Sequence, residues 1–261
     1  VSEPAPLLKD HVALVTGASR GIGYAVALGL ARAGAQVIAT ARTQGGLEEL
    51  DDAVFAATGA HATLVPLDIQ DGEGVDRLGA ALYERFGRLD VLVSNAGDLG
   101  LLTPVAHLDP PVWERALAVN ATATFRLIRS VDPLLRAAPA ARAVFVTTGV
   151  AARPRAFWGA YAASKAAMET LVRVYADEME TTGVRCTLLN PGPLRTRMRM
   201  QAFPGEDPAD LTPPEALVPL VLDLVSPGRE PPPYASFADW RAAHGEAADA
   251  IHRCVVENPT T

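Results

Sequence analysis

The sequence has little of what several kinds of protein depend on. It has 2 cysteines in 261 residues, Cys186 and Cys254, far apart and with the first inside a buried-looking strand, so no disulfide framework is expected. Cations are outnumbered: 23 Lys and Arg face 30 Asp and Glu, a formal net charge of −7. A nucleic-acid binder needs a basic face, so no nucleic-acid partner is expected. No apolar run reaches the roughly 20 residues of a membrane-spanning helix, and no basic-then-apolar leader opens the chain. A soluble, cytoplasmic protein without a membrane partner is the expectation. Metal ligands are thin as well. His11, His61 and His107 are scattered, and His244, His252 and Cys254 match no zinc spacing, so no metal is expected.

Hydrophobic residues, by contrast, make up 49% of the chain, enough for one large α/β core. Short apolar runs at Val12 to Thr16, Gln36 to Thr40, Thr63 to Leu67, Leu89 to Ser94, Ala143 to Thr148 and Arg185 to Asn190 alternate with helix-like stretches. That alternation predicts a doubly wound parallel sheet of Rossmann type in a single domain, covered on both faces. In such sheets ligands bind beyond the carboxyl ends of the strands, where the strand order reverses. Thr16, Thr40, Asp68, Ser94 and Thr148 all fall at or just past those ends, so the polar residues collect on one rim.

Two motifs stand out on that frame. Gly17-Ala-Ser-Arg-Gly21-Ile-Gly23 joins the first strand to an Ala/Leu-rich helix over Tyr24 to Ala33, and so brings backbone amides and a helix N-terminus to one point, a setting for a pyrophosphate. Its spacing is GxxxGxG rather than GxGxxG. Further on, Tyr161-Ala-Ala-Ser-Lys165 opens a stretch to Glu180 without Pro or Gly, which predicts a helix with the phenol and the ammonium on one face. A nearby cation favours the phenolate, so the expected effect is a phenol whose pKa falls from about 10 towards neutrality.

These pieces, with Asp68, Asn95-Ala-Gly97, Asn120 and Pro191-Gly-Pro-Leu-Arg-Thr196, resemble the short-chain dehydrogenase/reductases over roughly residues 8 to 226. The resemblance implies a nicotinamide cofactor and hydride transfer to or from a carbonyl carbon. It makes Tyr161 the acid/base, sets Lys165 on the ribose hydroxyls, and has Asn120 hold a proton-relay water. The residue that orients the substrate oxygen is usually serine; here Thr148 stands at that position, with Thr147 as the neighbouring alternative, since only one of the two can face the site. The cofactor site it implies comprises Gly17, Ser19, Arg20, Gly21, Ile22, Gly23, Arg42, Asp68, Ile69, Asn95, Ala96, Gly97, Pro191, Gly192, Leu194 and Thr196, with Tyr161 and Lys165. NAD-preferring relatives carry an acidic residue after the second strand, whereas Ala41 and Arg42 stand here. Arg42 and Arg20 could flank a 2′-phosphate, which points to NADP(H).

The substrate pocket is expected from Leu99, Val150, Phe157, Trp158, Pro193 and Met198, mostly apolar and suited to a small-molecule carbonyl compound or alcohol. Arg195, Arg197 and Arg199 would lie together on an extended chain, either to meet an acidic group or as solvated or internally paired cations. The substrate-loop region spans about 193 to 212 inside a catalytic domain of 8 to 238, with Val1 to Leu7 a loose arm and 239 to 261 a helical tail. The C-terminus departs from the family's glycine-ended last strand, which leaves homodimer and homotetramer both open; Trp113, Phe125 and Tyr175 are candidate contacts. Two functions follow: an NADPH-dependent carbonyl reductase, or a non-catalytic NADP(H) sensor on the same fold.

Overall fold

The computed structural model describes residues 6–252, with side chains described to Gly245; most of the N-terminal arm, the last part of the tail and Cys254 lie outside them. Among the described residues, seven parallel strands form one sheet in the order β3-β2-β1-β4-β5-β6-β7. In chain order the elements are β1 (Val12–Thr16), α1 (Gly21–Arg32), β2 (Gln36–Ala41), α2 (Gln44–Thr58), β3 (Thr63–Pro66), α3 (Gly72–Phe86) and β4 (Val91–Ser94). Then follow α4 (Pro110–Leu117), a π-helical turn (Ala118–Thr122), α5 (Ala123–Ala137), β5 (Arg142–Val146), α6 (Gly149–Ala152) and α7 (Gly159–Glu178). The chain continues through β6 (Arg185–Asn190), α8 (Arg197–Ala202), α9 (Val218–Val225), β7 (Tyr234–Ser236) and α10 (Phe237–His252), the last broken at Gly245.

The central strands are apolar throughout because both faces of the sheet are covered. Along β1 the side chains alternate: Ala13 and Val15 pack among α1, α2 and α9, whereas Val12 and Leu14 pack among α3, α5 and α7. Each face therefore has its own core, and the crossovers wind in opposite directions from β1. The reversal of strand order falls between β1 and β4, and a crevice opens beyond the carboxyl ends of those strands.

Three local differences from the sequence expectation have physical reasons. The fifth strand stops at Val146, and Thr148, two residues on, caps the start of α6. Residues Arg195 to Arg199 do not form an extended row: Thr196 caps α8 by accepting a hydrogen bond from the Arg199 amide at 3.2 Å, and the chain coils from Arg197. Tyr175 is core rather than surface; its hydroxyl donates to Asp132 at 2.9 Å, while Trp113 and Phe125 remain exposed. Phe237 and Trp240 of α10 join the core, so the packed body runs at least to Trp240.

Candidate active site

The turn between β1 and α1 is shaped by glycine. Gly17 and Gly21 adopt φ of +67° and +56°, left-handed values that other residues resist. A Cβ on Gly17 would also stand 3.0 Å from the Ala96 Cα, so the turn lies directly on the loop after β4. Thr16 and Asn95 lock that contact. The Thr16 hydroxyl accepts from the Asn95 and Ala96 amides at 3.0 and 3.1 Å, and Asn95 Nδ2 donates to the Thr16 and Gly17 carbonyls at 3.0 and 3.3 Å. Arg20 occupies the N-cap of α1 without a side-chain cap, and no acidic residue follows in the first turn, so the amides of that helix end stay open to an anion.

Asn120 sits in the π-helical turn between α4 and α5, a local widening that is common at functional sites. It is 1% exposed and fully engaged: Oδ1 accepts from the Asp98 amide at 2.9 Å, and Nδ2 donates to the Asp98 carbonyl at 2.8 Å and Ser164 Oγ at 2.9 Å. The side chain thus ties the loop after β4 to helix α7. Sequence reading found the residue but not this clamp.

Tyr161 and Lys165 lie on the first turns of α7, both buried. Lys165 Nζ donates to the Val146 carbonyl at 2.8 Å. Burial pushes the Tyr161 phenol up to about 12, with the Thr148 hydroxyl acting to lower it. The direction is opposite to the expected fall towards neutrality, because loss of water around the phenolate dominates. Burial likewise holds Lys165 down at about 8, opposed by the Glu169 carboxylate. Glu169 accepts from Thr147 Oγ1 at 2.6 Å and from Arg173 at 2.7 Å. Thr147 therefore points at Glu169, and Thr148 is the threonine on the side of the phenol. Glu169 went unnoticed in the sequence, although its position four residues after Lys165 puts both on one helical face.

Lys165 gives the folded protein a signature in pH. Between about 8 and its ordinary 10.5 the unfolded chain holds a proton that the folded chain has released, so the stability associated with this group rises with pH across that window. The Lys165→Met variant lacks the effect. The difference in denaturant-measured stability, wild type minus variant, is expected to grow in favour of wild type from pH 8 to 10.5; a constant difference would contradict it. Tyr161 acts in the opposite sense above pH 10, because the folded state keeps the phenolic proton up to about 12.

The glycine turn, Thr148, Tyr161 and Lys165 face one continuous cleft of about 970 Å³. Every site residue read from the sequence lines it except Gly23, Asn120 and Phe157. Gly23 packs behind the loop, where a Cβ would come within 2.2 Å of the Gly17 carbonyl oxygen. Phe157 is 55% exposed and in a left-handed conformation with φ of +76°, and it stays outside the cleft. Trp158, by contrast, lies with its ring 6.0 Å from Tyr161 and 5.8 Å from Phe203. Arg199 is not available to an acidic ligand: it pairs with Glu206 at 2.5 and 2.7 Å and covers the Phe203 ring at 3.8 Å. Arg195 does not line the cleft, whereas Arg115 and Arg155, which no sequence motif singled out, do.

The cleft fits a dinucleotide. In the strand order, Arg42 and Asp68, after β2 and β3, lie to one side of the open α1 N-terminus, and Tyr161 with Lys165, which bonds to Val146 of β5, to the other. Near Arg42, the Thr40 hydroxyl is buried without a hydrogen-bond partner. Among the described residues no cluster of His, Cys, Asp or Glu could hold a metal ion, and no helix is long and apolar enough to cross a membrane.

Comparison with known proteins agrees with this geometry. The sequence matches the short chain dehydrogenase family over residues 11–207. It is 40% identical to the oxidoreductase YciK of Escherichia coli K12 over 221 residues, 84% of this chain and 87% of the relative. A short chain dehydrogenase structure from Salmonella enterica serovar Typhi CT18 superposes with a TM-score of 0.86 at 35% identity, covering 90% of this chain and 99% of that one. Another, from Escherichia coli CFT073 and complexed with NADPH, gives a TM-score of 0.85 at 38% identity, covering 90% and 98%. A sheet of this order, a glycine turn on the loop after β4 and a buried tyrosine-lysine pair on α7 thus go with a match over most of the chain: it is an oxidoreductase of the short-chain dehydrogenase family.

Proposed function

We propose that the protein is an NADPH-dependent carbonyl reductase with Tyr161 as proton donor. The observation that carries this reading is the buried Tyr161 phenol beside Thr148 on the wall of a cleft that also holds Lys165 and the glycine turn. Bound in the cleft, NADPH supplies a hydride for the carbonyl carbon. The α1 N-terminus would hold its pyrophosphate, Asp68 its adenine, Lys165 its nicotinamide ribose, and Arg20 with Arg42 its 2′-phosphate. Thr148 donates to the carbonyl oxygen as negative charge gathers there, and Tyr161 delivers the proton. A phenol held near 12 is protonated at neutral pH, the form that reduction requires. Asn120 keeps the loop after β4 against α7, the helix that carries Tyr161 and Lys165.

Incubation with NADPH and a panel of diketones, quinones, aldehydes and 3-oxoacyl thioesters tests the reading through loss of absorbance of the reduced nicotinamide. Binding of NADPH with no turnover on any of them would favour a sensor instead. Cofactor choice has its own test. Arg42→Asp exchanges a guanidinium for a carboxylate beside the expected 2′-phosphate. The kcat/KM ratio for NADPH over NADH is expected to fall by about 10²-fold, the scale on which a charge-assisted hydrogen bond gives way to a repulsion. An unchanged NADPH KM would remove Arg42 from the site.

A further inference from the structure

We propose that the substrate carries an anionic group, a carboxylate or phosphate, at the end remote from its carbonyl, and that Arg153, Arg155 and Arg197 receive it; this rests on the carbonyl-reductase reading. The chain as a whole is acidic, at −7, yet the substrate end of its cleft is cationic. Five arginines line that end: Arg115, Arg153, Arg155, Arg197 and Arg199. The carboxylate lining it is Asp98, which pairs with Arg115 at 2.8 Å, and Glu206 neutralises Arg199. Among the described residues, Arg153, Arg155 and Arg197 have no ion-pair or hydrogen-bond partner for their guanidiniums. They are therefore three uncompensated charges on one cleft.

All three are solvent-exposed, and their origin in the chain shows how they come to one opening. Arg153 and Arg155 follow α6, and Arg197 begins α8, so two separate segments bring them to the same opening. The Arg155 carbonyl accepts from the Trp158 amide at 3.2 Å, which fixes that segment beside the tryptophan. Helix α8 is held to the same wall from the other side, because Arg199 covers Phe203 and Phe203 lies 5.8 Å from Trp158. The same cleft is also lined by Leu99, Val150, Trp158 and Met198, and the Trp158 ring lies 6.0 Å from that of Tyr161. The cleft thus combines a buried phenol, apolar side chains and unpaired guanidiniums. A substrate that matches it has a carbonyl, an apolar body and a terminal anion. Guanidinium forks suit carboxylate and phosphate oxygens, and a cleft with low-dielectric walls concentrates their field. The 2′-phosphate of the cofactor has Arg20 and Arg42 to receive it, and its pyrophosphate has the α1 amides.

The test uses three ketones that share one ring: 4-acetylbenzoate, 4-acetylphenyl phosphate and methyl 4-acetylbenzoate, each with the full chain and NADPH. At low ionic strength at least one anion is expected to show kcat/KM about tenfold above the neutral ester, with the advantage shrinking as salt is added. The ranking of the two anions tells carboxylate from phosphate. In the triple variant Arg153→Gln, Arg155→Gln, Arg197→Gln the advantage should collapse to about one, with the ester rate and the NADPH KM within about twofold of wild type. Equal reduction of all three ketones by the wild type, or a preference that survives in the variant, overturns the assignment. If no ketone is reduced, the carbonyl-reductase reading fails on its own account, and tryptophan-fluorescence titration with the same compounds still judges the cationic opening. Tighter binding of an anion to wild type than to the variant upholds it, and equal or absent binding overturns it.

Discussion

Tyr161→Phe is expected to lower kcat for carbonyl reduction by about 10²–10⁴-fold, the span that a positioned proton donor contributes. The substitution removes one oxygen and leaves the ring, which packs 6.0 Å from Trp158 in a buried position. Folding should hold. The phenol is 8% exposed and costs desolvation, which burial records by raising it to about 12, so its loss leaves no uncompensated charge behind. The Kd for NADPH, read by fluorescence titration, should stay within about twofold, because the glycine turn, Arg42 and Lys165 are untouched. The split between kcat and Kd is the informative part. A variant that loses both has a collapsed site, and one that keeps kcat shows that the proton comes from elsewhere. The wild-type rate of reduction should be flat through neutral pH, since the donor remains protonated there.

The fold was legible because its signals are local. Buried runs such as Val12 to Thr16, separated by helical stretches at regular intervals, leave little choice but a covered parallel sheet. The motif residues were legible for the same reason: Gly17 to Gly23 and Tyr161 to Lys165 each lie within a single turn or helix. What escaped depends on distance or on burial. The Asn120 clamp joins residues 22 and 44 positions apart, a pairing that no local pattern encodes. Helix α8 was hidden because Arg-Met-Arg-Met alternates like a strand, and the capping Thr196 was the available clue. Spacing correctly put Lys165 near Tyr161, yet it could not weigh the ammonium against the water that α7 excludes, and burial decides the direction of both shifts.

Gly23→Ala is expected to weaken NADPH binding by at least about 100-fold, roughly 2.7 kcal/mol, through one added methyl group. Unlike Gly17 and Gly21, Gly23 has no left-handed φ, so alanine suits its backbone and would by itself favour the helix by up to ~1 kcal/mol. The obstacle is space. A Cβ there would stand 2.2 Å from the Gly17 carbonyl oxygen, 2.8 Å from its carbon and 2.5 Å from Asn95 Nδ2. Two of these atoms are backbone of the turn itself, and the third is already bonded to the Thr16 and Gly17 carbonyls, so none can withdraw without opening the contact between β1 and the loop after β4. Helix α1 must move away from the turn instead, and with it the free amides offered to the pyrophosphate. Strain of this kind typically costs about 1–3 kcal/mol, enough to lower the melting temperature but not to unfold a core with two covered faces. Gly45→Ala serves as the comparison: it lies in the first turn of α2 with nothing within 4 Å of the added carbon, and should bind NADPH as wild type does. Both variants titrated by fluorescence and melted with and without NADPH separate close packing from helix propensity. A Gly23→Ala protein that binds NADPH like Gly45→Ala would show that the β1-to-α1 turn tolerates the shift, and that its amides do not set the position of the cofactor.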